Sequence, residues 1–433
     1  MREKESVAVI LNDFETNPKC PKHGPTVLFV SKGKKYYSCS CDRSKNCFYI
    51  EYDQFERIKD KQIETGIDMR TSKHEGCTQE YDLRKDPVDQ RVFCITCDEF
   101  IANSQTYHNK HNTKKVSDEN LQNPSLFLPQ LNNDKVNAQY FFDNSTLNFI
   151  DTVFESLQLD NIICMGAPRL HDFIRNRSNK KSLLMDIDKR FQPFYPEEFC
   201  HFNMFNNFFF NGKNDQDKLE LFLKSRNKDE KSHHCLFTDP PFAARTELLT
   251  NTIRTISSLY FRMNHKLLPI FWIFPYFNEC HIQKYMPEME MLDYQVTYMN
   301  HHAFNNEYKG RKEGSVVRLF TNIPQNLIKY PSSLTDYRFC KPCNRFVSKS
   351  NIHCNICKIC PSKNGSTYNH CKSCRKCIKQ NYKHCKTCDR CTITNHDCKV
   401  YQMHQECKKC HEIGHVEKYC KSIKKCNVIK RIN

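Results

Sequence analysis

Short apolar runs separated by polar turns recur along the middle of the chain, and their spacing predicts an α/β domain over residues 130–330. Asn161-Ile162-Ile163-Cys164-Met165 reads as a strand buried on both faces, Gly166-Ala167-Pro168 as a turn, and Arg169 to Ile174 as the start of a helix. A second apolar run, Ser182 to Asp188, ends in acids. The alternation continues through a strand Phe199 to Met204, a helix Lys218 to Lys224 and a strand His234 to Thr238. Beyond it come a helix Thr246 to Met263 and strands Leu268 to Phe274, Tyr294 to Met299 and Ser315 to Phe320. The short basic connection Lys309-Gly310-Arg311-Lys312 predicts that the last two strands form an antiparallel edge pair. The whole reads as a Rossmann-like, doubly wound sheet.

Asp239-Pro240-Pro241-Phe242 closes the run Cys235-Leu236-Phe237-Thr238 and carries the most specific chemistry in the chain. The exocyclic amine of adenine is a poor nucleophile because its lone pair is delocalised into the ring. A site that alkylates it must hold the amine by both hydrogens. The Asp239 carboxylate and the Pro240 carbonyl can accept them, and Pro240 and Pro241 carry no competing N–H. Phe242 can stack on the base, a contact worth roughly 1–3 kcal/mol. What remains is approach to a methyl sulfonium, which is catalysis by positioning. The bland alternative is a strand ending in a proline turn over a buried phenylalanine. Against it stand the acids closing Ser182 to Asp188, where a doubly wound sheet binds ribose hydroxyls. Gly166 is alone in the first turn, so the dinucleotide fingerprint is absent. S-adenosylmethionine carries no phosphates and does not require that fingerprint.

Of 27 cysteines, most fall after residue 339, where no long apolar run exists to build a conventional core. The charged start Met1-Arg2-Glu3-Lys4-Glu5 and the lack of a long apolar span give the expectation of no secretory leader and no membrane partner. A reduced compartment favours zinc over disulfides. After Cys340 and Cys343, the pattern His-Cys-x2-Cys-x2-Cys repeats from His353, His370 and His384, giving each unit more thiols than one metal needs. An interleaved reading over 338–400 uses each ligand once. It groups Cys340, Cys343, His353 and Cys360; Cys354, Cys357, His370 and Cys377; Cys371, Cys374, His384 and Cys391; and Cys385, Cys388, His396 and Cys398. Cys407, Cys410, His415 and Cys420 have the spacing of a zinc knuckle at 405–422, a module for single-stranded nucleic acid, followed by a basic tail at 423–433.

Two further modules precede the α/β domain. Cys20, His23, Cys39 and Cys47 frame a small sheet at 15–57 whose Tyr36, Tyr37, Tyr49 and Tyr52 offer stacking faces; Cys41 competes with Cys39 as a ligand. Cys94, Cys97, His108 and His111 make a Cys2His2 site at 88–115, without a basic recognition helix between them. Residues 340–433 carry 21 Lys and Arg against 5 Asp and Glu, almost the whole formal +17 of the chain. Five Cys3His zinc sites would lower the excess there from +16 to nearer +11, still an electrostatic footprint for a polyanion.

With these motifs in this order, the chain resembles the CCHC zinc-finger rRNA N6-adenosine methyltransferases: a GRF-type finger, a Cys2His2 finger, a class I methyltransferase domain with DPPF, a cysteine-rich repeat and a zinc knuckle. The resemblance implies S-adenosylmethionine and several Zn2+ as cofactors, an adenosine of large-subunit ribosomal RNA as substrate, and a nuclear, nucleolar location with a possible cytoplasmic share. It implies cofactor contacts at Gln139, Tyr140, Phe141 and Phe142, at Gly166 and Arg169, at Asp186 or Asp188, and at Asn203 with Met204, and it places Asp239 to Phe242 at the reaction. It also implies a closing segment around Tyr330 to Phe339. The likeness of the repeat to palmitoyltransferases is confined to metal ligands, since no Asp-His-His-Cys is present. Two other readings stay open on the residues: a methyltransferase of protein lysine or glutamine amines, and a non-catalytic RNA-binding scaffold. His74 with Cys77, His233-His234 and His301-His302 read as incidental or solvated, and Trp272 as core.

Overall fold

A computed structural model describes residues 7–41, 47–65, 86–101, 108, 110–129, 139–177, 179–224, 233–300 and 315–398. The expected knuckle at 405–422 with Cys407, Cys410, His415 and Cys420, the tail at 423–433, the connection at 309–312, and His74, Cys77, His301 and His302 lie outside the described residues. The chain divides into two compact units, Met1–Thr335 and Asp336–Asn433. Among the described residues no helix is long and apolar enough to cross a membrane.

The first unit is organised by an eight-stranded sheet. Its strands are β1 (Asn161–Met165), β2 (Lys181–Asp186), β3 (Phe199–Asn203), β4 (Phe208–Phe209), β5 (His234–Thr238), β6 (Ile270–Pro275), β7 (Glu290–Gln295) and β8 (Val317–Thr321), in the order β4-β3-β2-β1-β5-β6-β8-β7. β3, β2, β1, β5 and β6 run parallel, and β8 is antiparallel to both of its neighbours. Helix α1 (Asn144–Ser156) precedes β1, and α2 (Pro168–Arg175), α3 (Lys213–Leu223), α4 (Thr246–Asn264) and α5 (Glu279–Tyr285) lie between strands in sequence. Ile162 to Met165 and His234 to Thr238 are wholly buried, which is why the parallel strands show as unbroken apolar runs. α1 begins where Asp143 accepts the Thr146 N–H at 2.8 Å, and α2 where Pro168 fits the first turn.

The structure corrects several expected boundaries. The strand expected from Tyr294 to Met299 runs instead over Glu290–Gln295, with a register shift after Met291, and Tyr298 pairs through an isolated bridge with Phe142. The last two strands form the expected antiparallel pair at the edge of the sheet, with β8 against β6 and β7 outermost. α3 starts at Lys213 rather than Lys218, after Gly212 turns the chain at φ 56°.

The N-terminal finger is not a separate bead. Its strands Ala8–Ile10, Val27–Ser31, Lys34–Ser38 and Tyr49–Glu51 form one antiparallel sheet, yet Val27, Phe29 and Cys39 share a continuous core with Met165, Met185 and Phe202. Asn203 Nδ2 donates to the His23 carbonyl at 2.8 Å and Ser40 Oγ at 2.9 Å, and Asn206 Nδ2 to the carbonyls of His23 at 3.0 Å and Pro25 at 2.7 Å. Gly24, at φ +76°, lies so close that a Cβ would stand 2.3 Å from the Phe208 ring. Gly24→Ala is therefore expected to destabilise the first unit by on the order of 2–4 kcal/mol, from overpacking together with left-handed backbone strain. A thermal melt checks this, and an unchanged midpoint would mean that Phe208 yields. The Cys2His2 module is also docked: Phe93 and Phe100 pack on Phe194 with ring centroids 5.6 and 4.7 Å apart.

The second unit is a chain of hairpins, Tyr337–Cys340 with Arg345–Ser348, Tyr368–Cys371 with Lys376–Lys379, and Tyr382–Cys385 with Arg390–Ile393. Its apolar cluster is small, Cys340, Val347 and Cys360. Such a unit depends on its thiols and imidazoles for stability.

Candidate active site and metal centres

β1 and β5 lie side by side with Met165 opposite Thr238, so the turn after β1 and the segment Asp239 to Phe242 leave the sheet together where the strand order reverses. Asp239 N donates to the Met165 carbonyl at 3.2 Å and Ala244 N to the Pro241 carbonyl at 2.9 Å, which curls the segment ahead of α4. The first turn can only be glycine. Gly166 has φ +68°, and a Cβ there would stand 2.6 Å from Met204 Cε and 3.3 Å from the Asp239 carbonyl. A single pocket results, lined by Gln139, Tyr140, Phe141, Gly166, Asp186, Asp188 and Met204 together with Asp239, Pro240, Pro241 and Phe242.

Burial pushes the Asp239 carboxyl well above the usual carboxylate range, opposed by the Tyr298 hydroxyl, which donates to Oδ1 at 3.1 Å. Phe242 forms an aromatic wall with Tyr140, their centroids 5.9 Å apart and tilted by 30°, backed edge-on by Phe274. In the same pocket lining, burial and then the charge of Asp188 raise Asp186 to about 7. Asp188 itself is committed: Arg190 Nε and Nη2 donate to it at 2.8 and 2.6 Å, and Gln139 Nε2 at 2.8 Å. Asp186 takes the Asp188 N–H at 2.9 Å and is the freer acid of the two.

Three expected cofactor contacts do not line the pocket. Phe142 is buried beneath it, stacked on Tyr298 with centroids 5.2 Å apart and edge-on to Phe237. Arg169 turns to Asn123 Oδ1 at 3.4 Å and to the charge of Asp172, because it leaves the first turn of α2 on the far side from Gly166. The Asn203 amide is consumed by the N-terminal finger, and its Oδ1 takes the Phe205 N–H at 3.0 Å. His233 and His234 bond the carbonyls of Gln158 and Phe222 at the opposite end of β5. Trp272 is fully buried in β6. Tyr298, which the sequence reading passed over, is the residue in direct contact with Asp239; the alternation Tyr294, Val296, Tyr298 was its faint signal. Tyr330 packs against Phe149 and Tyr294, away from the pocket walls.

The thiols and imidazoles form compact groups that could hold a metal. Cys20, His23, Cys39 and Cys47; Cys94, Cys97, His108 and His111; Cys340, Cys343, His353 and Cys360; Cys354, Cys357, His370 and Cys377; and Cys371, Cys374, His384 and Cys391 each keep their ligand atoms within 4.8 Å of one another. Cys385 meets Cys398 at 3.7 Å, and His396 Nε2 lies 3.2 Å from Cys388 and 3.3 Å from Cys398. Cys39, not Cys41, faces His23, at 3.1 Å. A tetrahedral zinc with thiolates at about 2.3 Å spaces its ligands about 3.7 Å apart, and a disulfide would need about 2 Å. The thiol pairs stand at 3.3 Å (Cys374 with Cys391), 3.5 Å (Cys20 with Cys47), 3.6 Å (Cys340 with Cys360) and 3.7 Å (Cys343 with Cys360, Cys357 with Cys377), well beyond a disulfide. The donor sets and spacings fit tetrahedral zinc. Among the described residues, the C-x2-C turns Cys94–Cys97, Cys340–Cys343, Cys354–Cys357, Cys371–Cys374 and Cys385–Cys388 are each closed by a left-handed residue just after the second cysteine: Asp98 at φ 56°, Asn344 at 49°, Lys358 at 58°, Arg375 at 51° and Asp389 at 50°.

A parallel sheet that brings ribose-type acids and an Asp-Pro-Pro-Phe turn to one switch-point pocket is that of a methyltransferase acting on base amines. A family model described as "Probable N6-adenine methyltransferase" matches residues 133–311. The human rRNA N(6)-adenosine-methyltransferase ZCCHC4 is 38% identical over 369 residues, covering 79% of this chain and 71% of the relative. The proteins of that name from Mus musculus and Xenopus laevis are 37% identical over 373 residues (80% and 72%) and 36% over 365 (78% and 73%). The chain belongs to the rRNA N(6)-adenosine-methyltransferase family.

Proposed function

We propose that the protein transfers a methyl group from S-adenosylmethionine to N6 of an adenosine in large-subunit ribosomal RNA, with zinc in its Cys/His groups. The observation that carries this reading is the shared pocket, which Asp186 and Asp239 both line. S-adenosylmethionine, when bound, supplies an electrophilic methyl sulfonium. Asp186 accepts ribose hydroxyls, Met204 and Phe141 cover the apolar part of the cofactor, and Gly166 leaves room for it. Asp239 and the Pro240 carbonyl hold the two amine hydrogens while Phe242 stacks on the base. The aminium formed is acidic enough to lose its proton to water, so a separate general base is not required. The adenosine must leave its stack to reach Phe242, which costs a few kcal/mol and favours loops and single strands. The zinc modules and the basic C-terminal segment hold the RNA, and a nuclear, nucleolar site of action follows from that substrate.

The deciding experiment incubates zinc-loaded protein with radiolabelled S-adenosylmethionine and total RNA, then digests to nucleosides. Label in N6-methyladenosine from the large ribosomal RNA is the expected result; label confined to protein would replace this reading with a protein methyltransferase. Cofactor affinity carries a pH signature. Hydroxyls donating to Asp186 favour its ionised form, and the free group titrates at about 7. Binding of S-adenosylhomocysteine should therefore strengthen close to tenfold per unit as pH rises toward about 7 and level off above it. Calorimetry across that range checks this; a flat profile would assign the ribose to another group.

A further inference from the structure

Asp239 has two carboxylate oxygens, and the reaction needs one of them free, ionised and aimed. Tyr298 meets these needs by its placement. Its side chain is 2% exposed, and its ring stacks on Phe142 at 24° while also contacting Tyr140 and Phe242. The backbone around it is fastened to the strip that lines the pocket: Met299 N donates to the Phe141 carbonyl at 2.8 Å, Asn300 Oδ1 accepts the Phe141 N–H at 2.7 Å, and Asn300 Nδ2 donates to the Gln139 carbonyl at 2.7 Å. From that anchored position its hydroxyl donates to Asp239 Oδ1 at 3.1 Å.

We propose that Tyr298 is the positioning residue of the methyl-transfer site: by holding Oδ1 of Asp239 it leaves Oδ2 as the single acceptor for the adenine amine. This rests on the proposed methyl transfer and adds the group that orients its key carboxylate. A hydrogen bond to a carboxylate favours its charged form, and it opposes the burial that pushes Asp239 upward. The other ionisable groups around the pocket are Tyr140 beside Tyr298, and Asp186 and Asp188, the latter paired with Arg190.

The test is Tyr298→Phe in the full, zinc-loaded chain, which keeps the ring and its stacking. The acid limb of kcat/KM for RNA should move to higher pH by one to two units. At neutral pH kcat should fall about ten- to a hundred-fold, the size of a hydrogen bond to a charged group, with partial recovery at alkaline pH. Affinity for S-adenosylhomocysteine should be unchanged. A uniform fall in kcat without movement of the acid limb would reduce Tyr298 to packing and overturn the proposal. If Tyr298→Phe does not fold, 3-fluorotyrosine at position 298, a stronger donor, must move the limb to lower pH; no movement would overturn it equally. Carboxyl 13C titration of Asp239, assigned against Asp239→Asn, reads the same shift without turnover. A protein that shifts Asp239 by this assay but methylates no RNA would keep the Tyr298 contact and reject the proposed reaction.

Discussion

Asp239→Ala is expected to abolish methylation of ribosomal RNA while leaving RNA affinity nearly intact. The variant removes one of the two acceptors for the amine. Loss of one preorganised contact of this kind costs about 10²–10³ in kcat, roughly 2.7–4 kcal/mol. The fold should tolerate the change, since an isolated carboxyl that burial already disfavours gives way to a small apolar group. The expected residue of damage is the Tyr298 hydroxyl, which loses its contact with Asp239 Oδ1. Filter binding with ribosomal RNA and a thermal melt, run beside the methylation assay, separate the cases. A matching collapse of the melting transition would make Asp239 structural and remove the central assignment of the site.

Stripping the metals is expected to destroy cofactor binding as well as RNA binding. Structural zinc contributes about 10–16 kcal/mol in small fingers, as much as the whole folding free energy of a domain, about 5–15 kcal/mol. The N-terminal finger therefore unfolds without metal, and it does not unfold alone. Cys20 and Cys39 are part of the core that holds Met165 and Met204, and the Asn203 and Asn206 amides end on the finger's backbone. Met204, between those asparagines, is a wall of the pocket. Titration of S-adenosylhomocysteine before and after chelation should show the affinity lost together with the circular dichroism of the finger. Asn203→Ala with Asn206→Ala should reproduce part of the loss with the metal retained. Cofactor affinity that survives chelation would make the finger a passive attachment.

How much of this could be seen in the sequence differs from element to element. The strands at 161–165 and 234–238 were legible to the residue because strands buried on both faces leave unbroken apolar runs. The metal groups were legible because short ligand spacings leave few ways to satisfy a tetrahedron; the interleaving of Cys354 with His370 and Cys371 with His384 follows from counting thiols. The strand near 294 was displaced because a bulge breaks its alternation and Tyr298 answers a partner at Phe142, far away in sequence. The insertion of β8 between β6 and β7 is a pairing of distant segments that no local pattern records. Asn203 lies outside the pocket lining for a related reason: only docking of the N-terminal finger determines where its amide goes.

The left-handed residues that close the C-x2-C turns bear on how such a surface can change. Asp98, Asn344 and Asp389 belong to types that tolerate that backbone, but Lys358 and Arg375 do not, and each of these costs on the order of 1–2 kcal/mol relative to glycine. In a domain held by side-chain packing, two such residues would consume a large share of the net stability. Where a metal ion closes the turn, the strain is small beside the binding free energy. Residues at the turn tips are then free to be selected for charge rather than conformation. A metal-pinned repeat can thus exchange its outward side chains without renegotiating its fold.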